Sequence, residues 1–414
     1  MPSTAEILGR PCRAIREKCL PGPVTHAPYP SCVPPASESV GSAWTHKPVC
    51  IDSPVEPKIP WCAFTNSNFQ GKRGVSVISP KYYNSTYEVS PLSALQSIIS
   101  SLDPHRYEVP PAAYEVKAMK DKGFGLVATK KLRRGSVFMV DYATILADKE
   151  MTMSLRREDG RKLLVEAIGR LEDPQRVLEL AVSSKPESKV PIEEDVFKTN
   201  AFYQDVGARG FMMVFPEISR MNHACNPNAL TRFNETDLSN KVTAFRDILP
   251  GEEITISYTP FNLPSQSRRP RLLRGWGFNC TCSLCSLPPN DLAASDARRK
   301  RVDLLGPQVI QLVEEGKFEE AIELNNLLMA AMEEEEMLPH MGDYFEIMGR
   351  LHQAMGKYAE AKGWYDRAME EFKGFGLEEE EGVETLKGNI AALVKVIEGG
   401  KGGNRKGGKG KGDL

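Results

Sequence analysis

The sequence predicts an α+β protein, in which a strand-rich domain interrupted by a helical insert is followed by an all-helical domain. Between Tyr114 and Ala147, short β-branched and aromatic runs are separated by glycine-containing turns, which is typical of a sheet. Residues 150–185 then change to a helical period, with leucines and isoleucines on one face. After Pro289, amphipathic segments rich in Glu, Leu, Met and Ala continue to Ile397 and indicate a second domain.

The other segments have weaker signals. Residues 1–60 are rich in Pro, Ser and Cys without periodicity, so we expect an extended, poorly ordered leader there. Residues 75–79 (VSVIS) predict a strand, and residues 91–103 predict a short helix. We therefore divide the chain into a leader (1–60), a lead-in (61–112), the strand-rich domain (113–260, with its helical insert at about 149–198), a cysteine-rich segment (261–287), the helical domain (291–398) and a basic Gly/Lys tail (399–414).

The composition excludes several classes of protein. Of the 414 residues, 41% are hydrophobic and 26% are charged, as in a folded soluble protein. The formal net charge of -2 argues against a whole-chain polyanion binder, although the tail leaves weak nucleic-acid contact open. No apolar run approaches the roughly 18 residues of a membrane span, and Arg10, Arg13 and Arg16 interrupt any secretory signal. We expect an intracellular protein of the nucleus, the cytoplasm or both, without a membrane partner.

Two stretches of the helical domain align with each other at a distance of 40 residues. EGKFEEAIELNNLLMAAM starts at Glu315, and MGKYAEAKGWYDRAMEEF starts at Met355. The shared Ala321 and Ala361 resemble the small residues of a tetratricopeptide helical hairpin, which let paired helices approach closely. Because a free-standing solenoid needs about three repeats, we expect this domain to pack against the rest of the chain, with a surface left for a protein partner.

The nine cysteines form two groups. Cys280, Cys282 and Cys285 have a C-x-C-x2-C spacing, in which one tight turn can direct three thiolates at a single zinc ion. Cys225 is the other cysteine of this half, and a closed four-cysteine site would require it to meet the cluster; unpaired thiols are the alternative. The loosely spaced early group fits free thiols, an oxidised arm or a disordered leader, and comprises Cys12, Cys19, Cys32, Cys50 and Cys62.

Four motifs follow one another along the strand-rich half of the chain. Each alone is a modest signal, because an Asn-His pair or a GEE turn is common in proteins of many kinds. Their order is far more specific. The series is GFG (123–125), NHACNPN (222–228), GEEITISY (251–258) and FNCTCSLC (278–285).

In this order the motifs resemble a SET domain followed by a post-SET zinc segment, over about Tyr114 to Ser286. The helical insert and the C-terminal helical domain make the chain most similar to the SET and MYND class of methyltransferases, but no Cys/His pattern of a MYND finger occurs. The resemblance implies a protein-lysine N-methyltransferase that uses S-adenosylmethionine, acts on a histone or non-histone lysine, and holds one structural zinc at Cys225, Cys280, Cys282 and Cys285.

The resemblance also implies roles for single residues. Tyr258 would be catalytic, with its hydroxyl where the lysine amine meets the sulfonium methyl, and Phe278 would stack on the adenine. Tyr203 is a candidate wall of the lysine channel, while a core aromatic beside Phe202 is the alternative. The NHACNPN segment would be threaded against the final strand, next to Tyr258. The implied cofactor-binding residues are Lys122, Gly123, Phe124, Gly125, Asn200, Asn222, His223, Tyr258 and Phe278.

A second hypothesis from a different class remains. The chain could keep the fold yet act as a binding module, with its helical domain as the working surface. The complete motifs favour the enzyme, and binding of S-adenosylmethionine, measured by calorimetry, discriminates between the two.

Overall fold

The computed structural model describes residues 43–81, 91–101, 112–120, 122–181, 190–337, 341–375 and 381–403. Within them the predicted α+β class is confirmed. The strands are β1 (Val49–Ile51), β2 (Trp61–Asn66), β3 (Val75–Pro80), β4 (Tyr114–Met119), β5 (Gly123–Ala128), β6 (Val137–Tyr142), β7 (Ile145–Asp148), β8 (Ala201–Val206), β9 (Arg209–Val214), β10 (Asn222–His223), β11 (Ala229–Asn234), β12 (Ser239–Ala244) and β13 (Glu253–Ile256).

The helices lie in three places: before the first motif, inside the insert, and after the last strand. Short helical turns also occur at Phe69–Lys72, Ile218–Arg220 and Leu284–Ser286. The helices are α1 (Pro91–Ser101), α2 (Met151–Ser154), α3 (Arg157–Gly169), α4 (Gln175–Leu178), α5 (Ile192–Asn200), α6 (Ser265–Trp276), α7 (Pro289–Glu314), α8 (Phe318–Glu334), α9 (Met341–Ala354), α10 (Tyr358–Gly374) and α11 (Glu381–Gly403). None of the helices in the described part of the chain is long and apolar enough to span a bilayer.

The described strands form three sheets, with the orders β1-β2-β3-β7-β9-β8, β10-β13-β5-β4 and β11-β12-β6. The six-stranded sheet is covered on both faces. Phe64 and Val77 face the main core between the sheets, whereas Trp61 and Ile78 face the insert helices. Since side chains alternate along a strand, coverage of both faces explains why β3 is buried at every residue and β2 at all but its last.

The globular part of the chain includes residues that the sequence assigned to the leader. Strand β1 pairs with β2, and Trp44 belongs to the main core. The prediction of a poorly ordered leader is therefore wrong for residues 43–60, which belong to the fold. The three-residue strand β1 is too short to show a period in the sequence, and it is ordered only by its pairing with β2. Cys50 lies opposite Cys62 in this pair, and a disulfide joins them. Cys12, Cys19 and Cys32 lie outside the described residues, as does most of the basic tail.

The helical domain repeats one local structure twice. Gly316 and Gly356 both have a φ of 72°, and a helix, α8 or α10, begins two residues later. A positive φ of this kind favours glycine. Ala321 and Ala361 are completely buried at equivalent points of these helices. The internal repeat in the sequence is thus a repeat of a glycine turn and a close helix contact.

The helical domain packs against the strand-rich domain. Phe245, which follows β12, lies in the same apolar cluster as the buried residues of α8 to α11. Asn226 donates to Glu336 at 2.9 Å, and Arg134 donates to Glu371 at 2.6 Å. These contacts hold the helical domain against the strand-rich domain, next to the NHACNPN segment.

Candidate active site

The centre of the site is the end of β13, where it runs beside the short strand β10. The two strands are parallel, and Asn222 and His223 pair with Thr255 and Ile256. Beyond this pairing, the backbone N–H of Tyr258 donates to His223 Nδ1 at 3.0 Å, and the Tyr258 hydroxyl donates to the Met221 carbonyl at 2.7 Å. The structure thus brings together the two motifs that the sequence separates by about thirty residues.

A second group joins the GFG motif to these strands. Asn222 Nδ2 donates to the Phe124 carbonyl at 3.2 Å and to Glu253 Oε1 at 2.9 Å. The other oxygen of Glu253 accepts from Lys122 Nζ at 2.8 Å. A Cβ atom on Gly125 would lie 2.6 Å from Asn222 Nδ2, so only glycine fits this close approach. The Asn222 amide and the Lys122 ammonium are therefore held beside each other at the exposed start of β5.

His223 connects the strands around Asn222 to the cysteines. Its Nδ1 accepts from a backbone N–H, so the ring proton must be on Nε2, which lies 3.2 Å from Cys225 Sγ. Burial lowers the pKa of His223 to about 4, and the ring is accordingly neutral at physiological pH. An Nε2–H bond to the sulfur orients a thiolate in the way that hydrogen bonds around a metal site do.

The four late cysteines converge. Their sulfur atoms all lie within 4.8 Å of one another, with Cys225 3.8 Å from Cys280 and 3.6 Å from Cys285. Tetrahedral zinc with sulfur ligands at about 2.3 Å needs neighbouring sulfurs about 3.8 Å apart, so the donor set and its spacing fit this metal. Hydrogen bonds from Cys225 and Cys280 lower the pKa of Cys282 to about 6, which favours the thiolate that a metal requires.

An aromatic group lies between the tyrosine and the cysteines. The ring of Tyr258 is 5.1 Å from the ring of Trp276, measured between centroids, and 6.4 Å from that of Phe278. Phe278 is also 6.1 Å from the His223 ring. Trp276 Nε1 donates to the Thr199 carbonyl at 2.9 Å, which fixes the indole against the last turn of α5.

Trp276 is one of two site residues that were not predicted from the sequence. The only sequence feature that pointed to Trp276 is its position two residues before Phe278, at the end of an amphipathic segment. Asn228 was missed as well, although it lies inside a motif: it is buried, its Oδ1 accepts from the Thr255 N–H at 2.8 Å, and its Nδ2 donates to the Glu253 carbonyl at 2.8 Å. Asn228 therefore ties the NHACNPN turn to β13.

Two candidates make their side-chain hydrogen bonds outside this group. The amide nitrogen of Asn200 is buried and donates to the carbonyls of Leu180 and Val196, so the side chain secures the end of α5. Tyr203 is 50% exposed, and its hydroxyl donates to Asp205 at 2.9 Å. The alternative of a core aromatic is therefore wrong for Tyr203. Its neighbour Phe202 packs against the main core, as Tyr258 does, and successive strand residues face opposite ways.

Burial determines the charge state of the central tyrosine. Desolvation, with a smaller contribution from Glu253, raises the pKa of Tyr258 well above its ordinary value. The hydroxyl therefore keeps its proton and its bond to the Met221 carbonyl throughout the usual pH range. None of the described residues donates a hydrogen bond to its oxygen.

Comparisons with known proteins agree with this geometry. Residues 123–259 match the SET domain family. The chain is 28% identical over 203 residues to the histone-lysine N-methyltransferase set5 of Schizosaccharomyces pombe, covering 49% of this chain and 58% of that protein. It is 29% identical over 197 residues to human histone-lysine N-methyltransferase SMYD3, covering 45% and 44%. It is 33% identical over 100 residues to N-lysine methyltransferase SMYD2-B of Danio rerio, covering 24% and 22%. Each match thus spans less than two thirds of the relative.

Proposed function

Starting from a SET domain at residues 123–259, we propose that this chain is a protein-lysine N-methyltransferase that uses S-adenosylmethionine and orients the methyl transfer with Tyr258. The observation that carries the proposal is the position of the Tyr258 hydroxyl, held by the Met221 carbonyl directly before the Asn222-His223 pair. Proteins of the nucleus or cytoplasm with an accessible lysine, histones among them, are the proposed substrates. The helical domain and the basic tail are proposed as contacts for a protein partner and, weakly, for nucleic acid.

The reaction requires a neutral amine. A lysine has a solution pKa of about 10.4, so the amine must lose its proton before it attacks. The aromatic group of Tyr258, Trp276 and Phe278 is suited to this, because an apolar wall disfavours the ammonium form and excludes water. Trp276 is proposed as a wall of the lysine channel.

Tyr258 is proposed to orient the amine rather than to take its proton. Its own proton is engaged by the Met221 carbonyl, so its oxygen can accept a hydrogen bond from the amine N–H. Accepting that bond directs the nitrogen lone pair towards the methyl group. Once the amine is neutral, orientation and preorganised dipoles of this kind supply much of the rate.

The residues around β5 and β10 fit the cofactor. When bound, S-adenosylmethionine supplies a methyl group activated by its sulfonium. Lys122, which donates to Glu253 in the structure, would bind the carboxylate of its methionine end, beside the close approach of Gly125 to Asn222. Asn222 and His223 would contact the cofactor from β10, and Phe278 would cover the adenine. Cys280, two residues after Phe278, would bind the structural zinc with Cys225, Cys282 and Cys285 and so fix this wall.

The proposal is tested with the purified full-length protein. Calorimetry should detect one S-adenosylmethionine site per chain, and mass spectrometry of a cell extract incubated with deuterated-methyl cofactor should find labelled lysines. If the protein binds the cofactor but no labelled lysine is found, the proposed cofactor site is correct and the substrate is still unidentified. Failure to bind the cofactor at all would exclude the enzyme and favour the binding module.

A further inference from the structure

Arg268 is a buried charge beside the cysteine cluster. It lies on α6, one turn before Leu272, so both side chains lie on the same face of the helix. Leu272 packs against Cys225, Leu284 and Cys285. Only 1% of Arg268 is exposed to solvent. A guanidinium cannot lose its charge in a protein, so this burial needs compensation.

The protein partners of Arg268 satisfy one of its three nitrogens. Nη1 donates to the Leu263 carbonyl at 2.9 Å and to Asp296 Oδ1 at 3.2 Å. Nε and Nη2 are buried and have no hydrogen-bond partner among the residues that the structure describes. Asp296 is itself shared, because it also accepts from the backbone and the hydroxyl of Ser265. Two of the three guanidinium nitrogens therefore lack a hydrogen-bond partner among the described residues.

The missing counterpart lies at the sulfurs. Arg269, the next residue, donates to the Cys285 carbonyl at 2.7 Å, and Leu272 packs against Cys225 and Cys285, so this turn of α6 lies against the cluster. Four thiolates around a divalent ion have a net charge of about -2. The other buried arginine nearby, Arg299, donates to Glu335 at 2.9 Å and is thus already paired. Arg269 is exposed and its bond goes to a backbone carbonyl, so among the described residues Arg268 is the buried cation beside the cluster with nitrogens left to pair.

We propose that Arg268 is the counter-ion of the four-cysteine zinc centre, and that its remaining bonds connect the metal to the loop after Tyr258 and to α7 of the helical domain. The inference rests on the proposed zinc site. Leu263 lies in that loop, and Asp296 lies on α7. Loss of the charge would leave an uncompensated dianion in a buried place, which costs more than loss of one hydrogen bond.

The test measures zinc affinity, by competition with a chromogenic chelator, on the full chain. Arg268→Met should bind zinc about 10- to 100-fold more weakly, the range for lost partners around metal ligands. Arg268→Lys keeps the charge and should lie closer to wild type. Arg271→Gln removes an exposed arginine of the same helix and should leave zinc affinity unchanged.

Unchanged zinc affinity in folded Arg268→Met, or equal losses in Arg268→Lys and Arg268→Met, would overturn the inference. Where Arg268→Met does not fold by circular dichroism, Arg268→Gln replaces it, because Gln keeps a donor for the Leu263 carbonyl without the charge. Absorption of the cobalt-substituted wild type shows separately whether a four-sulfur site exists. No tetrahedral cobalt spectrum would reject the zinc proposal itself.

Discussion

The two halves of the site are ordered by different forces. The motif half, around β5, β10 and β13, is held by strand pairing and by side chains that bond to backbone groups, as Asn222 and Asn228 do. The metal half, residues 276–285, contains no strand, and its regular structure is limited to the last residue of α6 and the short turn that begins at Leu284. Its apolar core is small, with Leu272 and Leu284 as the buried aliphatic residues. We infer that the metal half depends on its ion for order, whereas the motif half does not.

Tyr258 lies on the boundary between the halves. Its backbone and its hydroxyl are bonded to the motif half, while its ring packs against Trp276 of the metal half. The proposed chemistry and its enclosure thus depend on different parts of the chain. Three changes should separate the two contributions.

Tyr258→Phe removes one oxygen atom and leaves the ring. We expect methyl transfer to fall by about 100-fold or more, the scale for loss of one preorganised polar contact, while cofactor affinity is retained because both halves keep their packing. Single-turnover transfer and calorimetry measure the two quantities. Tyr365→Phe, which removes a hydroxyl bond to Gln353 inside the helical domain, is the matched control and should not slow transfer. Normal turnover in Tyr258→Phe would remove the tyrosine from its role.

Loss of zinc should disorder the metal half alone. In Cys282→Ser, or after chelation, we expect cofactor affinity to drop by about tenfold or more, because Phe278 and Trp276 lose their support, a loss comparable to that from disturbed metal surroundings. The helical and strand content, followed by far-ultraviolet circular dichroism, should stay nearly constant.

The control for zinc loss is the double variant Cys50→Ser/Cys62→Ser. It removes the disulfide at the edge of the six-stranded sheet and should leave zinc content and cofactor affinity as they are. If zinc-free protein binds the cofactor with wild-type affinity, the metal half has another source of order.

Gly125→Ala disturbs the motif half alone. The new Cβ would lie 2.6 Å from Asn222 Nδ2 and 2.8 Å from Met119 Cγ, so the Asn222 and Met119 side chains must move, at a cost of about 1 to 3 kcal/mol. We expect a lower melting temperature and about tenfold weaker cofactor binding, with zinc content unchanged. Gly363→Ala adds a methyl group in open space on α10 and should be neutral or slightly stabilising. If Gly125→Ala binds the cofactor with wild-type affinity, the close approach of Gly125 to Asn222 is not needed for cofactor binding.

Much of the site was accessible from the sequence. The four motifs identified Lys122, Gly125, Asn222, His223 and Tyr258, and the structure brings them together. The cysteine spacing predicted a cluster of three thiols, the resemblance added the distant Cys225, and the four sulfurs lie together in the structure. Asn200 and Tyr203 were chosen from weaker patterns, and their hydrogen bonds lie elsewhere. Their roles as cofactor or channel residues stay predictions.

Local sequence patterns were enough to predict the α+β class, the insert, the duplicated glycine turn of the helical domain and the spacing of three thiols. Tertiary structure alone decided which groups from distant segments meet. The pairing of β1, the tautomer of His223, the contact of Trp276 with Tyr258 and the burial of Arg268 each require partners far away in the chain. Such contacts arise from packing and from the need to satisfy buried polar groups, and neither leaves a period in the sequence.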